Sequence, residues 1–587
     1  MARLDPHSYT DSDQPAARHL DWRARVDFER RCLEAEACLH FDSPVEGALD
    51  LDTRALHVES VTDDGGGEVP FRLDGPDPVL GSALRMSVKR PTRALTLRYR
   101  TDPAASALQW LLPAQTSGGR HPFLFSQCQA IHARSVVPLQ DTPRVRLSYT
   151  AELTVPVALR GLMAACFESR EEKGEVAVER FTMRHPIPPY LFALAVGDLV
   201  SAELGPRSRV WAEPSVIARA AHEFAGVDAM ITASEALFGP YDWDRFDILT
   251  MPSSFPYGGM ENPCLTFLTP TLLAGDRSLV NVVAHELAHS WTGNLVSNAD
   301  AEHFWLNEGF TVFAERRILE ALNGAEVAAL HAAIGLRGLE EAVDEFKDRP
   351  EMTHLRTHLQ GVDPDEVYSL VPYEKGFLFL RCIEETVGRD RFNVFLRHYL
   401  ETHRFQSITT ETFVAFVQAR LPGVLEQVSG DVWLRGDGIP RNAPRPRSSR
   451  LEAVLALKAE VPPPSLAATW TPTEWHLYLE SVPRPAPEVT CAELESRYHL
   501  TASTNAEILF SWLVLAVHSG HDAVLPRVDE ALGQVGRMKF LKPLYAALHG
   551  RPDTRERAQR LFAQHRDGYH PIAQQVLAQM LEPMPVP

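Results

Sequence analysis

The chain has 587 residues, of which 45% are hydrophobic and 23% charged, and its formal net charge is −19. Hydrophobic cores stop growing at about 250–300 residues, so this length predicts a multidomain protein with the composition of an ordinary globular chain. The acidic balance argues against a nucleic acid or an anionic membrane as the main partner.

The first 198 residues carry the alternation that is typical of β-strands. From Val145 to Val155 every second residue is apolar or small, and Leu95–Arg100 alternates in the same way. Such alternation predicts strands with one buried and one exposed face. Glycine and proline clusters at 63–67 and 75–78 predict turns between strands. We therefore expect a saddle or sandwich of antiparallel strands in residues 1–198.

From residue 199 to 436 the apolar residues recur every three or four positions, most clearly at 279–298, 305–323 and 375–401. This spacing predicts a mixed, mainly helical domain. Residues 437–450 are rich in proline and arginine, which predicts an interdomain linker, with a basic docking patch as the alternative. Residues 451–587 return to helical spacing and predict a C-terminal layer of short helices, one of which ends near Gly550.

The seven cysteines are scattered, and none pairs at a metal-site spacing such as C-x-x-C, so we expect free thiols in a reducing compartment. The N-terminus lacks an apolar stretch after a basic start, and no segment reaches about 20 uninterrupted apolar residues. These features predict a cytoplasmic protein without a membrane partner.

The strongest motif is HELAH at residues 285–289. Residues four apart share a helix face, so His285 and His289 can point at one metal ion, with Glu286 beside them as a general base. Glu308, nineteen residues after His289, can supply the third ligand from a second helix. Two histidines and one glutamate leave zinc an open position for water, so we expect one catalytic Zn²⁺ per chain. The alternative is an inactive scaffold protein, but structural zinc usually has four protein ligands.

A second motif, YGGMEN at residues 257–262, follows a predicted strand at 246–251. Its glycines, Gly258 and Gly259, let a substrate backbone approach and pair with this segment as an added strand. Glu261 then lies beside the first residue of the substrate, where its carboxylate can pair with a free α-ammonium. The two motifs together predict an aminopeptidase.

These motifs resemble those of the gluzincin family of zinc aminopeptidases, and within it the branch that contains leukotriene A-4 hydrolase and its bacterial aminopeptidase relatives. The resemblance implies three domains around a central cleft: a β saddle, a thermolysin-like catalytic domain and a helical C-terminal domain. The segments that carry it span nearly the whole chain and are QCQA at 127–130, PYGGMEN at 256–262, HELAHSW at 285–291, WLNEG at 305–309, VPYEKGF at 371–377 and GRMKF at 536–540.

The resemblance also implies roles for further residues. Tyr373 is expected to donate a hydrogen bond to the oxyanion of the tetrahedral intermediate, and Gln129 to join Glu261 at the substrate amine. Arg537, with Lys539, is expected to bind the far carboxylate of a short peptide. The pocket for the first side chain is expected to be lined by Tyr257, Met260, Phe304, Asp365 and Tyr368.

Asp365 and Tyr368 leave a second activity open, because they match positions used by leukotriene A-4 hydrolase to open a lipid epoxide. We expect the main substrates to be short peptides with a free N-terminus. The chain is further expected to be a monomer without a nucleic-acid partner.

Overall fold

The computed structural model describes residues 3, 5–367 and 369–581. Strands occupy the first part of the chain, a sheet with helices follows, and helices make up the last part. Each part contributes most of one cluster of buried apolar side chains. This is the predicted α+β architecture of three parts, while the boundaries at 198, 436 and 450 stay predictions.

The N-terminal strands alternate buried and exposed residues, most regularly between residues 147 and 155. The larger sheet has the strand order β10-β11-β8-β1-β2-β5-β3, with β4 on β5, and the smaller sheet has the order β6-β7-β12-β9. The pairs are antiparallel, apart from the parallel pairing of β1 with β8. The strands are β1 (Ala17–Asp27), β2 (Cys32–Thr53), β3 (His57–Asp63), β4 (Phe71–Leu73), β5 (Ser82–Arg100), β6 (Leu108–Leu111), β7 (Phe123–Ser126), β8 (Leu147–Pro156), β9 (Arg160–Met163), β10 (Cys166–Lys173), β11 (Val176–Ile187) and β12 (Leu194–Gly197).

The middle part combines a sheet with packed helices. Its strands are β13 (Val200–Gly205), β14 (Ser208–Ala212), β15 (Phe246–Thr250), β16 (Gly259–Met260), β17 (Cys264–Leu268), β18 (Val296–Asn298) and β19 (Gln406–Ile408). Its helices are α1 (Ile217–Glu223), α2 (Val227–Phe238), α3 (Val280–Ala288), α4 (Trp305–Asn323), α5 (Ala325–Glu345), α6 (Gly376–Val387), α7 (Arg389–Thr402), α8 (Thr410–Arg420), α9 (Val424–Gln427) and α10 (Gly430–Arg435). In the sheet order β13-β14-β15-β17-β16, the fully buried β15 pairs in parallel on both sides, and β16 forms an edge.

The predicted helix at 305–323 is α4, with the same bounds. The prediction of a helix over 279–298 is wrong beyond His289, because α3 ends at Ala288 and residues 296–298 form β18. Gly293 lies between them with a φ of +113°, a backbone conformation that glycine adopts far more easily than other residues. The predicted stretch at 375–401 is divided into α6 and α7 at Gly388, whose φ is +85°.

The C-terminal part consists of helices that pack around the buried α15. They are α11 (Ser449–Leu455), α12 (Pro464–Ala467), α13 (Pro472–Ser481), α14 (Glu488–Tyr498), α15 (Ala506–His518), α16 (Leu525–Gln534), α17 (Met538–Gly550), α18 (Arg555–His565) and α19 (Pro571–Leu581). Helix α17 ends at the predicted breaker, Gly550. Residues 437–448, inside the predicted linker, contain no helix or strand.

The three parts meet at a cleft of about 1280 Å³. The backbone N–H of Gly536 donates to the carbonyl of Ser253 at 2.7 Å, and that of Met538 donates to the carbonyl of Pro256 at 2.8 Å. A Cβ on Gly536 would lie 2.6 Å from the Cα of Ser254, so glycine permits this close approach. These contacts hold the start of α17 against the loop that leads to β16.

All seven cysteines are free, in agreement with the sequence-based expectation. Within the described ranges, no helix is both long enough and apolar enough to cross a membrane.

Candidate metal and substrate site

Helices α3 and α4 bring the three predicted metal ligands together. The Nε2 atoms of His285 and His289 are 3.2 Å apart at the end of α3. Oε2 of Glu308, in the first turn of α4, lies 3.3 Å from Nε2 of His285 and 3.6 Å from Nε2 of His289. Ligand atoms bound to one tetrahedral zinc ion at the usual bond lengths are about 3.3 Å apart. The spacing of these three atoms therefore fits zinc.

The same carboxylate oxygen provides an independent test of the fit. Oε2 of Glu308 is buried and has no hydrogen-bond partner of good geometry among the described residues. A buried carboxylate oxygen without a partner is costly unless a cation lies beside it. The donor set, two imidazoles and one carboxylate, is also one that catalytic zinc takes. The residues present thus fit one zinc ion.

The outer nitrogens of both histidines are held in place. Nδ1 of His285 lies 3.0 Å from Oε2 of Glu315, and Nδ1 of His289 lies 3.0 Å from the carbonyl oxygen of Thr292 and 3.1 Å from Oγ1 of Thr311. When Nδ1 donates to such partners, Nε2 is left free to bind a metal. Burial lowers the pKa of His289 to about 4, which keeps this ring neutral.

Glu308 was predicted from the sequence, but Glu315 and Thr311 were not. Thr311 and Glu315 follow Glu308 by three and seven residues on α4, so all three share one helix face. The spacing from Glu308 is a signal that could have found them. One face of α4 thus carries the predicted ligand Glu308 and two groups that orient the predicted histidine ligands.

Tyr373 lies on a π-helical turn, Val371–Lys375, directly before α6. Its ring centroid is 6.3 Å from that of His285, with the two rings nearly parallel, and 6.0 Å from that of Phe304. Burial of Glu308 acts to raise its pKa, but His289, His285 and the hydroxyl of Tyr373 together hold that pKa below its ordinary value. The predicted oxyanion donor therefore lies beside the metal ligands.

The turn that carries Tyr373 packs directly on α4. A Cβ on Gly309 would lie 2.7 Å from the Cα of Gly376 and 3.0 Å from the carbonyl oxygen of Pro372. One nitrogen of Arg316 on α4 also donates to both carboxylate oxygens of Glu374, at 2.7 and 2.8 Å. Gly309, which has no side chain to keep the turn away, and the buried ion pair between Arg316 and Glu374 thus set how close the turn lies to α4.

The two glycines of the second motif make room for side chains from other elements. A Cβ on Gly259 would lie 2.2 Å from Oε1 of Glu286, and one on Gly258 would lie 2.7 Å from Nη2 of Arg537. The predicted base and the predicted carboxylate-binding arginine therefore lie against this segment. Because Gly259 belongs to the edge strand β16, the segment also offers a backbone edge to a substrate.

Two further carboxylates lie beside the predicted metal ligands. Glu261 and Glu286 are 4% and 6% exposed, and an oxygen from each lies within 4.8 Å of a ring nitrogen of His289. Burial raises the pKa of Glu286 to about 8, and burial together with the charges of Glu308 and Glu286 raises that of Glu261 well above its ordinary value. Nε2 of Gln129 donates to Oε1 of Glu261 at 3.4 Å. Negative charge concentrated in this way is stabilised by cations.

Arg537 and Lys539 lie at the start of α17 and share a partner that the sequence did not reveal. Nζ of Lys539 donates to both carboxylate oxygens of Glu507 on α15, at 2.7 and 2.9 Å. Nη1 of Arg537 donates to Oε1 of Glu507 at 3.5 Å and to Oγ1 of Thr271 at 3.2 Å. Burial of Glu507 acts to raise its pKa, but the two cations outweigh burial and lower it to about 2. Glu507 is therefore ionised and orients both cations.

Met260, predicted to line the pocket for the first side chain, packs into the core instead. Its side chain is 2% exposed, and its sulfur accepts a hydrogen bond from Nε2 of Gln127 at 3.1 Å. Successive residues of a strand face opposite sides, so Gly259 faces the cleft and Met260 faces away from it. Tyr257 and Phe304, predicted for the same pocket, line the cleft.

Asp365 also lines the cleft, but its carboxylate already has a partner. Its Oδ2 lies 2.7 Å from Nε2 of His132, whose Nδ1 lies 2.8 Å from Oγ of Ser106. Burial of Asp365 acts to raise its pKa, and the neighbouring His132 outweighs burial and holds the pKa below its ordinary value. Tyr368, the other residue of this predicted pair, lies outside the described residues.

Known proteins match nearly the whole chain. Residues 18–191 match the Peptidase M1 N-terminal domain, residues 224–432 the Peptidase family M1 domain, and residues 470–581 the Leukotriene A4 hydrolase, C-terminal domain. Leukotriene A-4 hydrolase of Xenopus laevis is 36% identical, over 98% of this chain and 99% of its own length. The chain belongs to peptidase family M1. Leucine aminopeptidase 2 of Emericella nidulans is 35% identical, over 97% of this chain and 96% of its own length.

Solved structures agree with this membership of family M1. The structure of yeast LTA4 hydrolase in complex with bestatin superimposes with a TM-score of 0.90 at 33% identity, covering 99% of this chain and 97% of the yeast chain. An M1 zinc metallopeptidase from Deinococcus radiodurans shares the fold, with a TM-score of 0.61 at 22% identity, over 76% of this chain and 100% of its own. The protein is thus a zinc-dependent aminopeptidase, a metallopeptidase whose cofactor is one zinc ion per chain.

Proposed function

We propose that this M1 enzyme hydrolyses N-terminal residues from short peptides, with Glu261 and Gln129 binding the free α-ammonium. The observation that carries the proposal is the position of Glu261, a buried carboxylate next to two others and to the metal ligands. The charges that act on it most strongly are those of Glu308 and Glu286, and both oppose its ionisation. A substrate ammonium at this position would relieve that repulsion, which favours free amino ends over blocked ones.

The chain's own residues divide the chemistry between them. Bound zinc, held by His285, His289 and Glu308, would supply a Lewis acid and a water of lowered pKa. Glu286 accepts the proton of the attacking water and passes it to the leaving amine, a role suited to a buried carboxylate. Tyr373 donates a hydrogen bond to the oxyanion of the tetrahedral intermediate.

The cleft favours peptides of a few residues. Its volume of about 1280 Å³ exceeds the range of about 300–1,000 Å³ that is usual for small-molecule sites. We propose that Arg537, oriented by Glu507 and close to Gly258, binds the carboxylate at the far end of such a peptide. Lys539, whose side chain is half exposed, adds positive charge beside Arg537.

The test compares each of several short peptides with its N-acetylated form, using wild-type protein and a Glu261→Ala variant. Wild-type protein is expected to cleave the free peptides and to leave the acetylated ones nearly untouched. The variant is expected to lose most activity on free peptides, because no carboxylate then binds the ammonium, while its zinc content stays the same. Glu366→Ala, which removes an exposed acid at the rim of the same cleft, is the matched control.

Equal cleavage of free and acetylated peptides by the wild type would contradict an aminopeptidase role for this cleft. A second variant, Glu286→Gln, tests the assignment of the base separately. It is expected to keep zinc and to lose nearly all turnover, and normal hydrolysis by this variant would show that another group accepts the proton.

No specific observation among the described residues supports hydrolysis of a lipid epoxide as a second activity. Of the two residues expected for it, Asp365 is hydrogen-bonded to His132, and Tyr368 lies outside the described residues. The activity in the name leukotriene A-4 hydrolase is that of the relative that carries this name, and we do not assign it to this chain. The cytoplasmic location and the monomeric state stay predictions.

A further inference from the structure

A cluster of potential metal ligands lies on the outer face of the large N-terminal sheet, away from the catalytic cleft. In the pairing of β1 with β2, His19 is opposite His40 and Asp21 is opposite Cys38. Side chains two residues apart on a strand share a face, and directly opposed residues are close neighbours. The register of this one strand pair therefore gathers two imidazoles, one carboxylate and one thiol.

The distances within the cluster match those expected around a metal ion. Nε2 of His40 lies 2.8 Å from Oδ2 of Asp21 and 3.6 Å from Sγ of Cys38. The three ligand atoms all lie within 4.8 Å of one another. On a tetrahedral zinc ion, nitrogen and sulfur ligands are about 3.6 Å apart, and nitrogen and oxygen ligands about 3.3 Å apart. The set needs only a small opening between His40 and Asp21 to admit an ion.

We propose that Asp21, Cys38 and His40 form a second metal site, which binds a divalent transition metal such as Zn²⁺ on the surface of the N-terminal sheet. A thiolate, an imidazole and a carboxylate are the three ligand types that zinc takes in proteins. The side chains of His40 and Asp21 are 42% and 46% exposed, so an ion can reach them and a water can complete the coordination.

The carboxylate of the site is held by neighbours on two strands. Nε2 of His19 lies 3.2 Å from Oδ1 of Asp21, and Nδ1 of the same ring lies 2.8 Å from Oγ of Ser148 on β8. The hydroxyl of Thr150, also on β8, donates to Oδ1 of Asp21. Partners of this kind orient a ligand before the ion binds. Oδ2, the oxygen that faces His40, is the one directed at the proposed ion.

The thiol makes this site distinguishable from the catalytic one. The catalytic ligands are His285, His289 and Glu308, which include no sulfur, so Co²⁺ bound there cannot show thiolate-to-cobalt charge transfer. Full-length holoenzyme is incubated with Co²⁺ and desalted, and bound metals are then counted by mass spectrometry. Wild-type protein is expected to hold two metal ions per chain and to show a thiolate-to-cobalt absorption band in the near ultraviolet.

The variants Cys38→Ser and His40→Ala are expected to hold one metal ion, to lose the band and to keep peptidase activity. Glu308→Ala is expected to show the reverse, with activity lost and the band retained. Two controls on the same sheet should behave as wild type: Cys166→Ser, a partly exposed thiol, and His57→Ala, whose ring pairs with Asp102. One bound metal ion in the wild type, or a band that survives Cys38→Ser, would overturn the proposal.

Discussion

Replacement of Glu315 by alanine should weaken zinc binding, although Glu315 is not a ligand. Its Oε2 lies 3.0 Å from Nδ1 of His285, so it holds the ring with Nε2 toward the other two predicted ligands, His289 and Glu308. Burial of Glu315 acts to raise its pKa, but the hydrogen bond to His285 and the charges of His285 and Arg316 together outweigh burial and hold the pKa below its ordinary value. The negative charge of Glu315 therefore also makes the imidazole of His285 a stronger electron-pair donor to a bound metal ion.

The size of the effect follows from the nature of the hydrogen bond. A hydrogen bond to a charged group contributes about 1.5–3 kcal/mol, and loss of an outer partner of a metal-bound histidine costs about 10–100-fold in affinity. Each factor of ten corresponds to about 1.4 kcal/mol, so the two ranges agree. We expect the zinc dissociation constant of Glu315→Ala to rise by about 10–100-fold, with most activity restored at saturating zinc.

The assay titrates the metal-free protein with zinc in a chelator buffer and follows both peptidase activity and bound zinc. Glu320→Ala is the control, because it removes another acid from α4 that pairs with Arg389 at 2.8 Å, away from the cleft. Glu315→Gln keeps an acceptor oxygen and should lose less affinity than the alanine variant. Equal zinc affinities for Glu315→Ala and Glu320→Ala would refute the orienting role.

Gly309→Ala should push the turn that carries Tyr373 away from α4, because the new Cβ would lie 2.7 Å from the Cα of Gly376. We expect zinc content to be kept, kcat to fall and the free energy of unfolding to drop by about 1–3 kcal/mol in denaturant titration. The control Gly226→Ala adds a Cβ where no atom lies within 4 Å and should keep wild-type activity. Arg537→Ala should raise KM for tripeptides more than for amino-acid anilides, which lack the far carboxylate, and equal effects on both would remove its proposed role.

The spacing of residues along the chain was enough to predict which side chains share one face of a helix. The four-residue interval between His285 and His289 places both on one face of α3, and the predicted bounds of α4 agree with the structure because Gly324, with a φ of +89°, follows its last residue. The predicted helix over 279–298 was wrong beyond His289 because the apolar spacing continues past residue 288, whereas α3 ends at Ala288 and the chain then passes through Gly293, with a φ of +113°, into β18. Periodicity thus identified the helices better than it identified their ends.

The contacts that could not be predicted from the sequence join residues on different helices or strands. Glu507 lies 30 residues before Arg537, on another helix, and no local pattern connects the two. Asp21 and Cys38 are brought together by the hydrogen-bond register of two strands, which a shift of one residue would separate onto opposite faces. Pairs of residues that lie on different helices or strands therefore had to be found in the structure. Predicted ligands that lie on one helix, such as His285 and His289, could be found from their spacing in the sequence.

The balance of charge joins the metal site to substrate selection. Glu261, Glu286 and Glu308 place three buried carboxylates beside histidines, of which His289 is neutral. A zinc ion would add positive charge beside these carboxylates, and a peptide with a free amino end would add more beside Glu261. An acetylated peptide would bring no charge to Glu261, whose pKa is raised well above its ordinary value by burial and by the charges of Glu308 and Glu286, so nothing would favour its ionised form. Selection for a free amino end and retention of the metal then follow from the same electrostatic arrangement.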